Sequence, residues 1–201
     1  RIEIAETLLA DERTDVNLQS NNGHSALIEA SVGNQTDFSK ILLDDPRIRV
    51  NLQMKNGSSA LVAAAIMNRV GTTKELLKHA DINVNLQNNN GSSALIAAAE
   101  NGHIEIAKTL LAEKRTDVNV NLQDKDGRSA LIAAIEKRHI DIAMTLLAEE
   151  RTDVNLLDKD GRSALIAATQ RNCIAIVNKL LKRVEILVNC QDRDGRSALI
   201  V

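Results

Sequence analysis

The chain has 201 residues, of which 44% are hydrophobic, and its formal net charge at pH 7 is -2. This hydrophobic fraction is enough to build a core and argues against disorder. The near-zero charge gives no electrostatic footprint for nucleic acid or an anionic membrane. The longest apolar run, Ala60 to Met67, is too short to span a bilayer. We therefore expect neither a nucleic-acid partner nor insertion into a membrane.

The cysteines and the first residues indicate the setting of the chain. Cys173 and Cys190 are too few for a disulfide framework, so a reducing, cytoplasmic compartment is expected. No signal-peptide pattern opens the sequence, which begins at Arg1 in the middle of a repeating pattern. We therefore expect the segment to belong to a longer protein in which further repeats or domains flank it.

An internal repeat organises the whole sequence. The tripeptide Ser-Ala-Leu recurs six times at intervals of 34, 34, 36, 34 and 34 residues, each time two residues after a glycine. A fixed period of this length is typical of stacked repeat proteins. In chain order, the pattern predicts a single array made of a partial unit 1–19, whole units 20–53, 54–87, 88–123, 124–157 and 158–191, and a partial unit 192–201.

The elements of one unit can be predicted in order from residues 124–157. The Asp126-Gly127 dipeptide indicates a tight turn, because both residues tolerate a positive φ angle. Ser129 is then expected to cap a first helix that starts at Ala130. The helix should stop near Arg138, where the other units carry residues suited to the left-handed conformation. Those residues are Asn34, Asn68, Gly102 and Asn172.

Arg138 differs from these residues, so a different helix stop is predicted for its unit. A second helix follows from about His139 to Leu147, with apolar residues at helical spacing. The segment from Glu149 to Asp153 is expected to be a polar loop. One such unit cannot bury its apolar face alone, so neighbouring units should stack.

This order of elements resembles the ankyrin repeat. It comprises an Asp/Asn-x-Gly turn, Ser-Ala-Leu, Ala-Ala, a second helix with Leu-Leu, and Asp-Val-Asn, and the clearest copy is 89–106. The resemblance covers essentially the whole chain. It implies an all-α ankyrin-repeat solenoid of helix-turn-helix units joined by short β-hairpin-like fingers. Arg151-Thr152-Asp153 replaces the usual Gly-Ala-Asp, so the second helices should end without a glycine cap.

Catalytic chemistry finds no support in the sequence. His103 and His139 share a register, but one repeat layer should separate them by roughly 10 Å, too far to share a metal ion. His24, His79 and the two cysteines are interpreted as structural or solvated residues. The acidic residues are interpreted as solvated turn and loop residues, and no phosphate-binding glycine loop is present. We therefore predict no enzyme activity, no catalytic residue, no metal site and no cofactor.

The resemblance implies that a partner meets the finger tips and the concave face formed by the first helices. Ile66 and Met67 stand out there because the other units are mostly polar; alternatively, both pack beneath the neighbouring finger. The fingers towards the end of the sequence, called the rear fingers, carry an arginine column of Arg128, Arg162 and Arg196. This column could bind an acidic peptide, although pairing with adjacent aspartates is the favoured interpretation. The candidate partner-binding residues are Val32, Ile66, Met67, Glu100, Lys137, Arg171, Arg128, Arg162 and Arg196.

The asparagine of the repeated Val-Asn pair is interpreted as a structural residue that bonds locally within the finger. It occurs as Asn17, Asn51, Asn85, Asn155 and Asn189.

Two functions are compatible with these features. The first is a protein–protein interaction module or scaffold, which binds a protein of unknown identity through its concave groove and hairpin fingers. The alternative is a structural spacer or regulatory array within a larger protein, channel-like or enzyme-linked, with no partner of its own.

Overall fold

A computed structural model of the chain describes residues 2–113 and 117–201. Within these ranges it contains helices and only isolated antiparallel bridges, at the bases of fingers. The helices are α1 (Ile2–Leu9), α2 (Ala26–Val32), α3 (Thr36–Asp44), α4 (Ala60–Ile66), α5 (Val70–Lys78), α6 (Ala94–Asn101), α7 (Ile104–Ala112), α8 (Ala130–Glu136), α9 (Ile140–Ala148), α10 (Ala164–Gln170) and α11 (Ile174–Leu180).

The chain forms two compact units. The first comprises Arg1–Ala94 and Thr109–Val118, and the second comprises Leu95–Lys108 and Asn119–Val201. In the first unit, α2 packs on α4 and α3 packs on α5. In the second unit, α8 packs on α10 and α9 packs on α11. Within each unit, therefore, first helices stack on first helices and second helices stack on second helices.

Serine caps and small residues explain the first helices. The Ser129 side chain accepts a hydrogen bond from the backbone N–H of Ile132, which confirms the predicted cap. All six residues from Ala130 to Ile135 are buried, and four of the six in Ala60–Ala65 are alanines. Such small side chains allow neighbouring helices to approach closely. The same cap forms at Ser25, Ser59 and Ser163.

A residue in the left-handed conformation links the two helices of each repeat. Asn34, Asn68, Gly102 and Asn172 have φ angles of 57°, 56°, 77° and 53°. Arg138 has a φ angle of 61°, so the prediction of a different stop there was wrong. The tight connection requires this conformation whatever the residue type, because the next backbone N–H, that of His139, must reach the carbonyl oxygen of Ala134 at 2.8 Å. The fold therefore imposes a strained conformation on an arginine.

Where the structure defines the C-terminal cap residue of a second helix, that residue is not a glycine, as predicted. The Thr152 hydroxyl donates to the carbonyl oxygen of Leu146 at 2.7 Å, near the end of α9. The Arg183 guanidinium reaches the carbonyl oxygens of Leu147 and Thr152 from the following repeat. A cation at this position also interacts favourably with the helix dipole. None of the helices described is long and apolar enough to cross a membrane.

Candidate interaction surface

The fingers are tight hairpins, and those at 54–58, 88–92, 124–128, 158–162 and 192–196 begin at a buried or half-buried residue. In the finger at 124–128, the Asp124 N–H donates to the Arg128 carbonyl oxygen at 3.0 Å, and the Gly127 N–H donates to the Asp124 carbonyl oxygen at 2.9 Å. Gly127 has a φ angle of 73°, which a side chain would disfavour. Gln123 and Ser129 form an antiparallel bridge at the base. The predicted hairpin-like finger is therefore present.

The first aspartate of each rear finger is buried, so its interpretation as a solvated turn residue was wrong. The Asp124 Oδ1 accepts from the backbone N–H groups of Asp126 and Arg128, both at 2.9 Å. Its Oδ2 accepts from the Arg128 Nε at 2.9 Å. These bonds compensate for the loss of hydration, which explains how a carboxylate can be buried here. Asp158 and Asp192 are buried in the same way.

Backbone bonds and glutamine side chains link successive fingers. The Lys159 N–H donates to the Asp126 carbonyl oxygen at 2.8 Å. The Gln123 side chain donates both to the Gly127 carbonyl oxygen of its own finger and to the Leu157 carbonyl oxygen of the next. The fingers are thus braced against one another, and these glutamines were not among the residues singled out from the sequence. Gln19 and Gln53 each make the equivalent pair of hydrogen bonds.

The Val-Asn asparagine connects repeats, so the prediction that it bonds locally was wrong. The Asn17 Nδ2 donates to the Arg47 carbonyl oxygen at 2.8 Å, and its Oδ1 accepts from the Arg49 N–H at 2.7 Å. A carboxamide has a donor and an acceptor side by side, so it satisfies two backbone groups of the next repeat at once. Where Val-Asn is written twice, Asn121 makes this bridge. Asn51 and Asn155 do the same.

Two of the candidate arginines lie in a network of carboxylates. The Arg162 Nη2 lies 2.6 Å from Glu136 Oε1 and 2.6 Å from Asp158 Oδ2. The Arg128 Nη1 lies 3.4 Å from Glu100 Oε1 and 3.6 Å from Glu136 Oε2. Their side chains are only 19% and 22% exposed for Arg128 and Arg162 respectively. The desolvation that opposes their charge is outweighed by these carboxylates, which raise the pKa of both guanidinium groups.

Arg196 has fewer partners than the other two. Its Nη2 lies 2.9 Å from Asp192 Oδ2 and 2.9 Å from Asp194 Oδ2, and its side chain is 45% exposed. The hydrogen bond that Arg196 donates to Asp192 raises the pKa of Arg196 above its usual value. The pKa of Asp192 is lowered, chiefly by the backbone N–H of Arg196. The favoured interpretation, that each finger arginine pairs with adjacent aspartates, therefore agrees with the geometry at all three fingers.

The remaining candidates lie at the ends of first helices. Val32 and Ile66, the last residues of α2 and α4, are half-buried. Met67 is 45% exposed, which argues against its packing beneath a neighbouring finger. Lys137 and Arg171, which follow α8 and α10, are exposed. The structure thus brings Glu100, Lys137, Arg128 and Arg162 together within the second unit, whereas Val32, Ile66 and Met67 lie in the first.

Glu136 was missing from the candidate residues although it joins two of them. A signal for it exists in the sequence: glutamate recurs near the end of the first helix, at Glu100 and Glu136, in two of the three repeats that are followed by an arginine in the next finger. Only the stacked structure shows that these positions meet.

Three histidines have structural partners. The His24 Nδ1–H donates to Glu29 Oε1 at 2.7 Å, and the His79 Nδ1 accepts from the Asp81 N–H. The His139 Nε2–H donates to the Glu100 carbonyl oxygen at 3.2 Å. Among the described residues, no group of three or more His, Cys, Asp or Glu could hold a metal ion. Both cysteines are free, and a reducing compartment stays a prediction.

Paired helices with serine caps, left-handed links and braced fingers define a repeat protein whose unit is a pair of helices followed by a finger. A family model described as "Ankyrin repeats (3 copies)" matches residues 1–88, 40–121 and 71–156. The chain therefore belongs to the ankyrin-repeat family, and the predicted all-α ankyrin-repeat fold class is confirmed. Ankyrin repeats generally serve as protein-interaction modules.

Solved structures agree with this assignment. The chain is similar to the protein of "Crystal Structure of EF0377 an Ankyrin Repeat Protein", with a TM-score of 0.82 and 28% sequence identity over 90% of this chain and 92% of that one. Altogether 540 solved chains match significantly, so the likeness identifies a common fold and names no partner. No curated protein matches the sequence.

Proposed function

We propose that this chain is a protein-interaction module that binds its partner through finger tips and the ends of first helices. The observation that carries the proposal is where the repeats differ from one another. Positions that hold the stack together recur, namely the serine cap, the turn glycine and the bridging asparagine. The position seven residues after the capping serine, at or next to the end of the first helix, instead differs between units, except that glutamate occurs twice: Val32, Ile66, Glu100, Glu136 and Gln170.

The position that follows also varies, and its side chains at Met67, Lys137 and Arg171 are exposed. Met67 and Lys137 follow their helices as exposed residues, and neither forms the left-handed link. Variation is inexpensive for stability at such positions, because surface substitutions usually change the free energy of unfolding by less than about 0.5 kcal/mol. A surface that can vary without loss of the fold is well suited to recognising a particular partner.

The two units offer different chemistry. The first unit presents the exposed Met67 and, on its fingers, uncharged residues such as Asn22 and Asn56; methionine adapts readily to a partner surface. The second unit presents Lys137 and Arg171 beside charged fingers. The proposed contacts are therefore apolar in the first unit and electrostatic in the second.

Site-specific cross-linking tests the proposal. A photoreactive residue replaces Met67 in one protein and Lys74, an exposed residue of the second helix α5, in a matched control. Both proteins are used at equal concentration in native lysate. A partner that cross-links through position 67 but not 74, and that is lost in a folded Ile66→Arg/Met67→Arg variant, supports the module. No specific adduct at position 67, together with no partner captured by the folded chain, would favour the spacer role.

A further inference from the structure

The finger arginines of the second unit share one design with a single exception. Arg128 and Arg162 each pair with the aspartate four residues earlier in their own finger. Each also meets a glutamate of the preceding first helix: Glu100 for Arg128 and Glu136 for Arg162. The intrachain glutamate thus completes the acceptor shell of each guanidinium.

The exception is Arg196. The position equivalent to Glu136, the last residue of α8, is Gln170, the last residue of α10. From Glu136 to Arg162 and from Gln170 to Arg196 the sequence separation is the same, because both pairs are shifted by one 34-residue period. A neutral carboxamide therefore stands where the other two repeats supply a carboxylate.

The exposure of the arginines differs as well. The Arg196 side chain is 45% exposed, against 22% for Arg162. Its intrachain acceptors are Asp192 and Asp194 of its own finger. Arg171, the residue after Gln170, is exposed and adds a further positive charge at this end of α10.

We propose that Arg196 binds a glutamate or aspartate side chain of an acidic segment in the partner protein, in the position that Glu136 holds against Arg162. The inference rests on the proposed interaction function and names the chemistry of one contact. Its template is the Glu136–Arg162 pair itself, with 2.6 Å between Oε1 and Nη2. A guanidinium has five N–H donors in a fixed fork, so it can hold the finger aspartate and a partner carboxylate simultaneously.

Carboxylates near Arg196 oppose the approach of an acidic segment. Asp192 and Asp194 lie on the finger and would repel an acidic segment, and Asp160 lies in the preceding finger. Asp158 and Asp160 stand in the same relation to Arg162, yet Glu136 still approaches that guanidinium to 2.6 Å. Two finger aspartates are therefore compatible with a third carboxylate on the same arginine.

The test titrates an acetylated hexaglutamate peptide into the isotopically labelled chain and follows the arginine Nε–H resonances by NMR. Hexaglutamine serves as the matched neutral peptide. Arg196 is expected to shift saturably with hexaglutamate and not with hexaglutamine, while Arg128 and Arg162 stay unchanged. Gln170→Glu should weaken the binding of hexaglutamate about fivefold or more, because the chain then supplies its own carboxylate to Arg196. Gln170→Asn is the neutral control and should bind as the natural chain does.

A converse variant tests the template. Glu136→Gln should make the Arg162 resonance respond to hexaglutamate, because it recreates at Arg162 the situation of Arg196. Arg196→Lys keeps the charge and should still weaken peptide binding, since a lysine ammonium group lacks the planar, forked donors of a guanidinium. A peptide that binds without shifting Arg196, or equal affinity for Gln170→Glu and Gln170→Asn, would overturn the inference. If the inference fails in this way but the Ile66→Arg/Met67→Arg variant still loses the cross-linked partner, the proposed interaction function remains supported.

Discussion

Glu136 and Arg162 join two successive repeats by an ion pair with 2.6 Å between Oε1 and Nη2. The glutamate ends α8, and the arginine belongs to the next finger, 26 residues later. The side chains are 12% and 22% exposed, so water screens the pair only partly. Glu136 also lies 3.6 Å from Arg128 and therefore serves two fingers.

Removal of this carboxylate should destabilise the second unit. Glu136→Gln is expected to lower the free energy of unfolding by about 1 to 2 kcal/mol, because a weaker bond to a neutral carboxamide replaces a charge-assisted hydrogen bond. Asp160→Asn is the control, because that side chain is 71% exposed and lies 3.5 Å from the same arginine. It should cost less than about 0.5 kcal/mol. Urea unfolding followed by circular dichroism measures both, and equal losses would contradict the structural account.

Removal of an unpaired buried hydroxyl should stabilise the first unit. Ser39 is buried and its Oγ has no hydrogen-bond partner. The equivalent positions in later repeats are Ala107 and Ala143, both fully buried. Ser39→Ala should therefore raise the free energy of unfolding by about 1 kcal/mol.

Ser31 provides the control for Ser39. It is equally buried, but its hydroxyl donates to the Leu27 carbonyl oxygen at 2.7 Å. Ser31→Ala should therefore give no gain in the midpoint of thermal unfolding. The account fails if the two variants shift the midpoint upward by the same amount.

Relief of backbone strain at Arg138 should stabilise the second unit. Arg138→Gly places a residue without a side-chain penalty at a φ angle of 61°, and we expect a gain of about 0.5 to 1 kcal/mol. Lys137→Gly is the neighbouring control, at a φ angle of -86°, and should be neutral or unfavourable. Comparison of the two thermal midpoints is sufficient, and a lower midpoint for Arg138→Gly would disprove the role of strain.

Leu157 interrupts the glutamine bracing of the fingers. It is 44% exposed and occupies the position that Gln123 holds in the preceding repeat. Leu157→Gln should add bonds to carbonyl groups of its own and the next finger, for a gain of about 0.5 to 1.5 kcal/mol. Gln123→Leu, the reverse change, should cost a similar amount. Amide hydrogen exchange in the fingers would report both effects, and unchanged protection in both variants would count against bracing.

The Asp45–Arg47 pair should make stability sensitive to acid. The hydrogen bond from Arg47 lowers the pKa of Asp45, which favours the ionised carboxylate in the folded chain. Its contribution is therefore present above the unfolded pKa of about 3.9 and is lost as the pH falls through the lower folded pKa. The difference in urea midpoint between the natural chain and Asp45→Asn should thus narrow as the pH falls below about 4. A constant difference would show that the pair does not contribute in this way.

The sequence by itself determined the features that depend on neighbours along the chain. The repeat period predicts the fold class, Ser129 predicts the helix cap, and Gly127 predicts the turn, because each is decided by hydrogen bonds and φ angles within a few residues. The first helices and their serine caps were predicted on this basis. The positions of candidate residues at helix ends and fingers followed from the same period.

Only the tertiary structure decided what meets across repeats. Stacking brings Asn17 to the Arg47 carbonyl oxygen and Glu136 to Arg162, groups separated by 30 and 26 residues along the chain. The fold also buries Asp124 and, through the tight link between the two helices of a repeat, imposes a left-handed conformation on Arg138, against the local preference of each residue. Local propensity is worth about 1 kcal/mol per residue, and the burial of a stacked apolar face outweighs it. Where the two conflict, the contacts between repeats determine the structure.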